Sequence, residues 1–236
     1  MKKNDIKITD IDNKKVKLIV CDVVYDEIKD QIPEDWEVVK FEKSLHENSK
    51  KLREELQKEI NKSQDFDIIV LGYGLCGKGV EGLVSDNAVM VIPKCEDCIS
   101  MFLGSDEERK KQLEINPGTY FLTRGYIGDS DDLLISTFSE VKDRYDEETW
   151  EWIKREMLKN YNRLAYIETG NYDSSQAREI AKRQANKYNL IFEEIKGSNK
   201  LLSKITRGNW DGEFLIIEPG TKVAMEMFLN LAESNN

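Results

Sequence analysis

The sequence predicts an α/β protein made of two Rossmann-like (flavodoxin-like) three-layer halves with mostly parallel sheets. Three observations lead to that class. Short apolar runs recur, each closed by glycine, proline or polar residues. Amphipathic or capped helical stretches alternate with them. The same rhythm then restarts after residue 160.

The elements follow in order. Residues 16–21 read as a strand buried on both faces, and Val23 to Lys29 as a short helix stopped near Pro33. Trp36 to Phe41 alternates as a second strand. Ser49 to Ile60 places Leu52, Leu56 and Ile60 four residues apart, on one helical face. Phe66 to Leu71 and Ala88 to Ile92 are the third and fourth strands, Ile99 to Leu103 begins a helix or turn, and 118–123 is a fifth strand. Asp129 to Asn160 reads as a long, charged helical bridge carrying Leu133, Phe138, Trp150 and Ile153. Beyond it, Leu164 to Ile167 is a strand, and Asp173-Ser174-Ser175-Gln176 caps a helix that runs to Tyr188. Leu190 to Ile195 is a strand, Leu201 to Ile205 a short helix, Phe214 to Ile217 a strand, and Thr221 to Leu231 a closing helix. The expected organisation is an N-terminal half over 1–128, a helical bridge over 129–160 and a C-terminal half over 161–236.

Composition narrows the function classes. The net charge of −10, with lysine and arginine interleaved with glutamate, argues against nucleic acid. No run of about 18 apolar residues exists, so no membrane span is expected. The charged N-terminus does not read as a signal segment, and the expectation is a soluble cytoplasmic protein.

The four cysteines are the strongest chemical signal. Cys21 ends the first strand, Cys76 lies in a glycine-rich loop after the third, and Cys95 and Cys98 follow the fourth. Ligands bind beyond the C-terminal ends of strands in open α/β sheets. A flavodoxin-like order would make strands one, three and four neighbours. In a reducing compartment such cysteines mean metal, redox chemistry or packing. Glu96 and Asp97, between Cys95 and Cys98, oppose the thiolate of a reactive pair. One pair with two distant singles suits an iron–sulfur or catalytic zinc site assembled by a fold. The single histidine, His46, stands in a polar stretch and is expected to be exposed.

The loop from Gly72 to Gly79 matches neither a dinucleotide fingerprint placed after the first strand nor a Walker loop. Gly72, Tyr73, Gly74 and Gly77 are therefore expected to wrap backbone closely round a cofactor. Tyr73, Lys94, Arg124 and the Thr169-Gly170-Asn171-Tyr172 segment could bind a small anionic substrate across a cleft between the halves. Trp210, in a Gly-Asn-Trp-Asp-Gly turn, is expected to cover the core.

The runs Gly72-Tyr73-Gly74-Leu75-Cys76-Gly77, Ile92-Pro93-Lys94 with Asp97-Cys98-Ile99, Leu103-Gly104-Ser105 and Pro117-Gly118-Thr119-Tyr120 carry a resemblance. So do the segments Ala181 to Gly197, Trp210 to Phe214 and Pro219-Gly220. Together they resemble an uncharacterised family, domain of unknown function 1638, over most of the chain. That family is found in strictly anaerobic bacteria and methanogens, near corrinoid-dependent methyltransferases. The resemblance implies a link to anaerobic one-carbon metabolism, with no reaction specified. It also implies that Cys21, Cys76 and Cys98 are the essential thiolates and that Cys95 is an extra or supporting group.

Three functional expectations follow. Cys21, Cys76 and Cys98 hold an iron–sulfur cluster, most simply of four irons, with one iron open, in anaerobic one-carbon or sulfur metabolism. Alternatively, the same thiolates hold zinc and assist corrinoid-dependent methyl transfer. In the third, the chain is a non-enzymatic partner of a corrinoid protein or methyltransferase.

Overall fold

In the computed structural model of the protein, the described residues are 11, 13–127 and 144–229. The first sheet contains β1 (Val16–Cys21), β2 (Glu37–Phe41), β3 (Ile68–Gly72), β4 (Val89–Pro93) and β8 (Phe214–Ile217), in the order β2-β1-β3-β4-β8. The first four run parallel, and β8 pairs antiparallel with β4. The second sheet is parallel, in the order β5-β6-β7, from β5 (Thr119–Leu122), β6 (Arg163–Glu168) and β7 (Ile191–Lys196). The α/β class and the neighbouring of strands one, three and four are as expected.

Sheet membership does not follow the expected division of the chain. β5, counted with the first half, pairs with β6, and β8, counted with the second, closes the edge of the first sheet. Two helices intervene between β4 and β5 and carry the chain away: α3 (Cys98–Leu103) and α4 (Asp106–Ile115). Sequence reading missed α4 because no residue on it is buried, so it has no apolar stripe. Its signature was the cap: the Ser105 side chain accepts from the Glu108 amide, and Asp106, Glu107 and Glu108 fill the first turn.

The other helices are α1 (Asp22–Ile28), α2 (Ser49–Lys62), α5 (Arg124–Ile127), α6 (Glu147–Leu158), α7 (Ser175–Lys187), α8 (Lys200–Arg207) and α9 (Glu226–Leu229). α2 buries the expected Leu52, Leu56 and Ile60, and Asn48 caps it by accepting from the Lys50 and Lys51 amides. Of the expected bridge, residues 129–143 lie outside the described residues; α6 occupies its later part and buries Trp150 and Leu158. The expected closing helix is a correction. Residues 221–225 are not helical, the helix spans only Glu226–Leu229 among the described residues, and residues 230–231 lie outside them. Pro219-Gly220 and the turn after it are held instead by backbone bonds from Gly220 to Ser85 and from Val223 to Leu83, and the Val223 carbonyl accepts from the Gly82 amide at 2.7 Å, where a helix starting at Thr221 would need it for its own ladder.

Two apolar cores result. The larger surrounds the first sheet and takes in Ala165, Ile167 and Ile195 from the second. The smaller gathers Leu122, Trp150, Leu164, Tyr166 and Ile180. Tyr126 on α5 packs against both. Trp210 covers the larger core, its ring tilted at 45° to Trp36 with centroids 6.4 Å apart, as expected.

Candidate functional site

The loops after β1, β2, β3 and β4 leave the same edge of the first sheet, because those strands are parallel neighbours. There they enclose a cavity of about 350 Å³ lined by Cys21, Cys76 and Cys98 together with Lys43, His46 and Tyr126; its rim reaches the exposed Gly77. The three cysteines singled out in the sequence therefore converge. All four cysteines carry free thiols.

The Cys21 thiol donates to Asp22 Oδ1 at 3.3 Å, and the same carboxylate oxygen accepts from the Val23 amide at 2.8 Å. Cys21 and Cys98 stand where α1 and α3 begin. Nearby backbone amides, of Val23 at Cys21, of Gly74 at Cys76 and of Ile99 at Cys98, favour the thiolates. The Tyr126 hydroxyl lies 2.8 Å from the Cys98 sulfur. Burial nevertheless pushes all three thiols up, Cys98 to about 12, with the other thiols and Asp97 adding to the effect. Without a cation between them these groups are neutral thiols at physiological pH. A bound metal would invert that balance by deprotonating them outright.

The glycine loop serves this convergence. A Cβ on Gly74 would lie 2.7 Å from the Cys95 carbonyl oxygen and 2.9 Å from the Asp97 amide, so only glycine lets the β3 loop lie against the β4 loop. Two backbone bonds lock the pair, from Leu75 to Cys95 at 2.9 Å and from Cys76 to Glu96 at 2.8 Å. Cys76 itself has φ 46°, followed by Gly77 at 60° and Lys78 at 73°. A left-handed cysteine costs about 1–2 kcal/mol, and such strain collects at functional sites.

Cys95 does not join the other three. Its sulfur contacts the Asp97 carbonyl at 3.5 Å and lines a separate cavity of about 210 Å³ with Lys94, Ser105, Asp106 and Leu201. The Cys-x-x-Cys pair is thus divided by the fold, with one sulfur on each side of the loop. Burial and the nearby Asp106 and Asp97 push the Cys95 thiol up as well. Arg109 on α4 pairs with Glu96 at 2.7 Å and Asp97 at 3.2 Å, holding this loop from outside.

Of the other expected binding residues, Gly72 ends β3, where a Cβ would meet the Val20 side chain at 2.5 Å, and Gly77 lies on the cavity rim. Tyr73 is buried and stacks on His46, with ring centroids 5.7 Å apart. Lys94 lines the Cys95 cavity, and Arg124 pairs with Asp26 at 3.5 Å and lies 4.5 Å over the Tyr172 ring; neither lines the three-cysteine cavity. The basic group on its wall is Lys43, whose Nζ donates to the Gly125 and Tyr126 carbonyls at 3.1 and 2.8 Å.

The expected cleft across Thr169 to Tyr172 is a second correction. Those donors do bind an anion, but it is the chain's own Glu27, buried on α1. Thr169 and Asn171 donate to one of its oxygens at 2.6 and 2.9 Å, and Tyr172 to the other at 2.5 Å. Burial still pushes the Glu27 carboxyl up.

His46 is the third correction. It is half-buried, lines the cavity and belongs to the tight turn Lys43–Glu47 that follows β2. Its Nδ1 is 3.2 Å from the Lys43 carbonyl oxygen, while its Nε2 is buried with no hydrogen-bond partner. Topology was the signal for it: β2 lies beside β1, so the loop after β2 opens on the edge that carries Cys21. Among the described residues, no three His, Cys, Asp or Glu side chains stand close enough to share one metal ion.

A family model described as "Protein of unknown function (DUF1638)" matches residues 41–206. That span holds His46, Cys76, Cys95 and Cys98 and begins after the strand that ends in Cys21. No curated protein and no solved structure matches the chain.

Proposed function

We propose that this chain, which belongs to the DUF1638 family of proteins of unknown function, is a metal protein. In this reading Cys21, Cys76 and Cys98 hold an iron–sulfur cluster of four irons, with one iron position left without a cysteine. The observation that carries the reading is the convergence of three thiols, Cys21 and Cys98 buried and Cys76 half-buried, from three strand ends on one cavity. Two details support a cluster. Thiolates around a single ion at about 2.3 Å would stand roughly 4 Å apart, a spacing the described donors do not have, whereas cluster cysteines bind different irons. The Tyr126 hydroxyl beside the Cys98 sulfur, and the amides near the three sulfurs that favour their thiolates, are the kind of contacts that tune cluster potential.

Bound there, a cluster would supply electron transfer or a Lewis-acidic iron. The chain's own residues bring the rest. The three cysteines release protons on binding, Tyr126 donates to Cys98, and Lys43 and Asp97 set charge on the wall where a small anionic ligand would enter. The setting proposed for this chemistry is anaerobic one-carbon or sulfur metabolism, with a corrinoid protein or methyltransferase as the proposed partner. Zinc is the second reading, favoured by the presence of one histidine beside three cysteines, a common zinc donor set.

The test is anaerobic purification with iron, sulfide and zinc analysis and visible spectroscopy. About four irons and four sulfides per chain are expected. Cys21→Ser, Cys76→Ser and Cys98→Ser should each lose them, and Cys95→Ser should not. Iron-free protein after anaerobic expression and reconstitution sinks the cluster reading, and stoichiometric zinc establishes the second.

A further inference from the structure

We infer that His46 is the fourth protein ligand of this centre, bound through Nε2 at the position that the cysteines leave open. The inference rests on the cluster reading and completes its donor set. A backbone carbonyl only accepts, so the Nδ1 that faces the Lys43 oxygen at 3.2 Å carries the ring proton. In the neutral ring Nε2 then presents a lone pair. That atom is buried, has no partner and belongs to a residue on the cavity wall. A buried polar atom without a partner is costly unless something binds it.

The surroundings hold the ring in this state. Burial pushes the imidazole down, against the Lys43 carbonyl, Asp22 and Asp97, so the neutral form prevails. Tyr73 stacks on one face of the ring. Lys43, which supplies the carbonyl, is itself anchored by its Nζ on Gly125 and Tyr126, beside the Cys98 contact. Metal-binding histidines show this pattern: one ring nitrogen donates to a backbone carbonyl, which fixes the tautomer, and the other faces the metal. The same features make His46 a poor proton shuttle, since its basicity is lowered and its free nitrogen is closed off from solvent.

The chain holds one histidine, so histidine labelled with ¹⁵N in untagged protein reports on His46 alone. The dithionite-reduced, cluster-loaded protein is read by pulsed electron paramagnetic resonance. A histidine-nitrogen coupling on the cluster signal is expected, as is its loss in His46→Ala with iron and sulfide content retained on the three cysteines. A cluster of full iron content with no histidine-nitrogen coupling overturns the inference and leaves the cluster reading standing. Protein that assembles no cluster overturns both. Using the labelled wild-type chain keeps the result independent of whether the alanine variant folds.

Discussion

At the residue scale, the contact between the Tyr126 hydroxyl and the Cys98 sulfur at 2.8 Å has a measurable consequence. A hydrogen bond to a ligating sulfur offsets its negative charge and favours the reduced cluster. Loss of a bond worth about 1 kcal/mol corresponds to roughly 40 mV for one electron. In the proposed cluster protein, Tyr126→Phe should therefore lower the cluster's reduction potential by that order, with iron content unchanged; an unmoved potential in anaerobic redox titration would show that the contact does not tune the centre. A second residue-scale device is Lys17, buried in β1 and paired with Glu59 at 2.6 Å and Glu37 at 3.0 Å. Burial works to raise the Glu59 carboxyl, but Lys17 and Lys62 outweigh it and hold the group below its ordinary 4.5. A depressed folded value means that Glu59 stabilises the fold above pH 4.5 and ceases to as pH falls through the folded value. Urea denaturation of Glu59→Gln across acid pH should show a shallower loss of stability below about 4.5 than the parent; parallel curves would refute the linkage.

At the element scale, two loops and one buried carboxylate do most of the positioning. Gly74 and Gly77 were indistinguishable in the sequence, yet they meet different neighbours. A Cβ at Gly74 strikes backbone of the β4 loop, while at Gly77, with φ 60°, it meets nothing within 4 Å. Gly74→Ala should destabilise by about 1–3 kcal/mol and separate Cys76 from Cys98, with loss of bound iron. Gly77→Ala should cost about 1 kcal/mol through its backbone conformation and keep the iron. Thermal unfolding and metal analysis on the pair separate the two effects; equal behaviour would contradict the close approach at Gly74. Glu27 joins α1 to the segment after β6 through Thr169, Asn171 and Tyr172. Tyr172→Phe removes one of these donors from a buried carboxylate and should lower stability by about 1–3 kcal/mol in chemical denaturation.

At the scale of the whole molecule, the site lies where four parallel strands end, and the two cores meet beside it at Tyr126. The local elements were legible in the sequence because apolar runs, caps and breakers act over a few residues. The helix α4 was not, since a helix that buries no residue leaves little periodic trace. The candidate site was legible in Cys21, Cys76 and Cys98, each placed by the end of its own strand, and in Gly77 on the rim.

The sequence by itself thus determined the strands and the edge on which the cysteines fall. Only the tertiary structure decided that Cys95 turns away, that His46 turns in, that β5 and β8 exchange sheets, and that Thr169, Asn171 and Tyr172 serve Glu27. The physical reason is the same in each case. Which side chains share a cavity depends on strand pairing and loop path, and those are set by contacts between segments tens of residues apart, beyond the reach of local propensity.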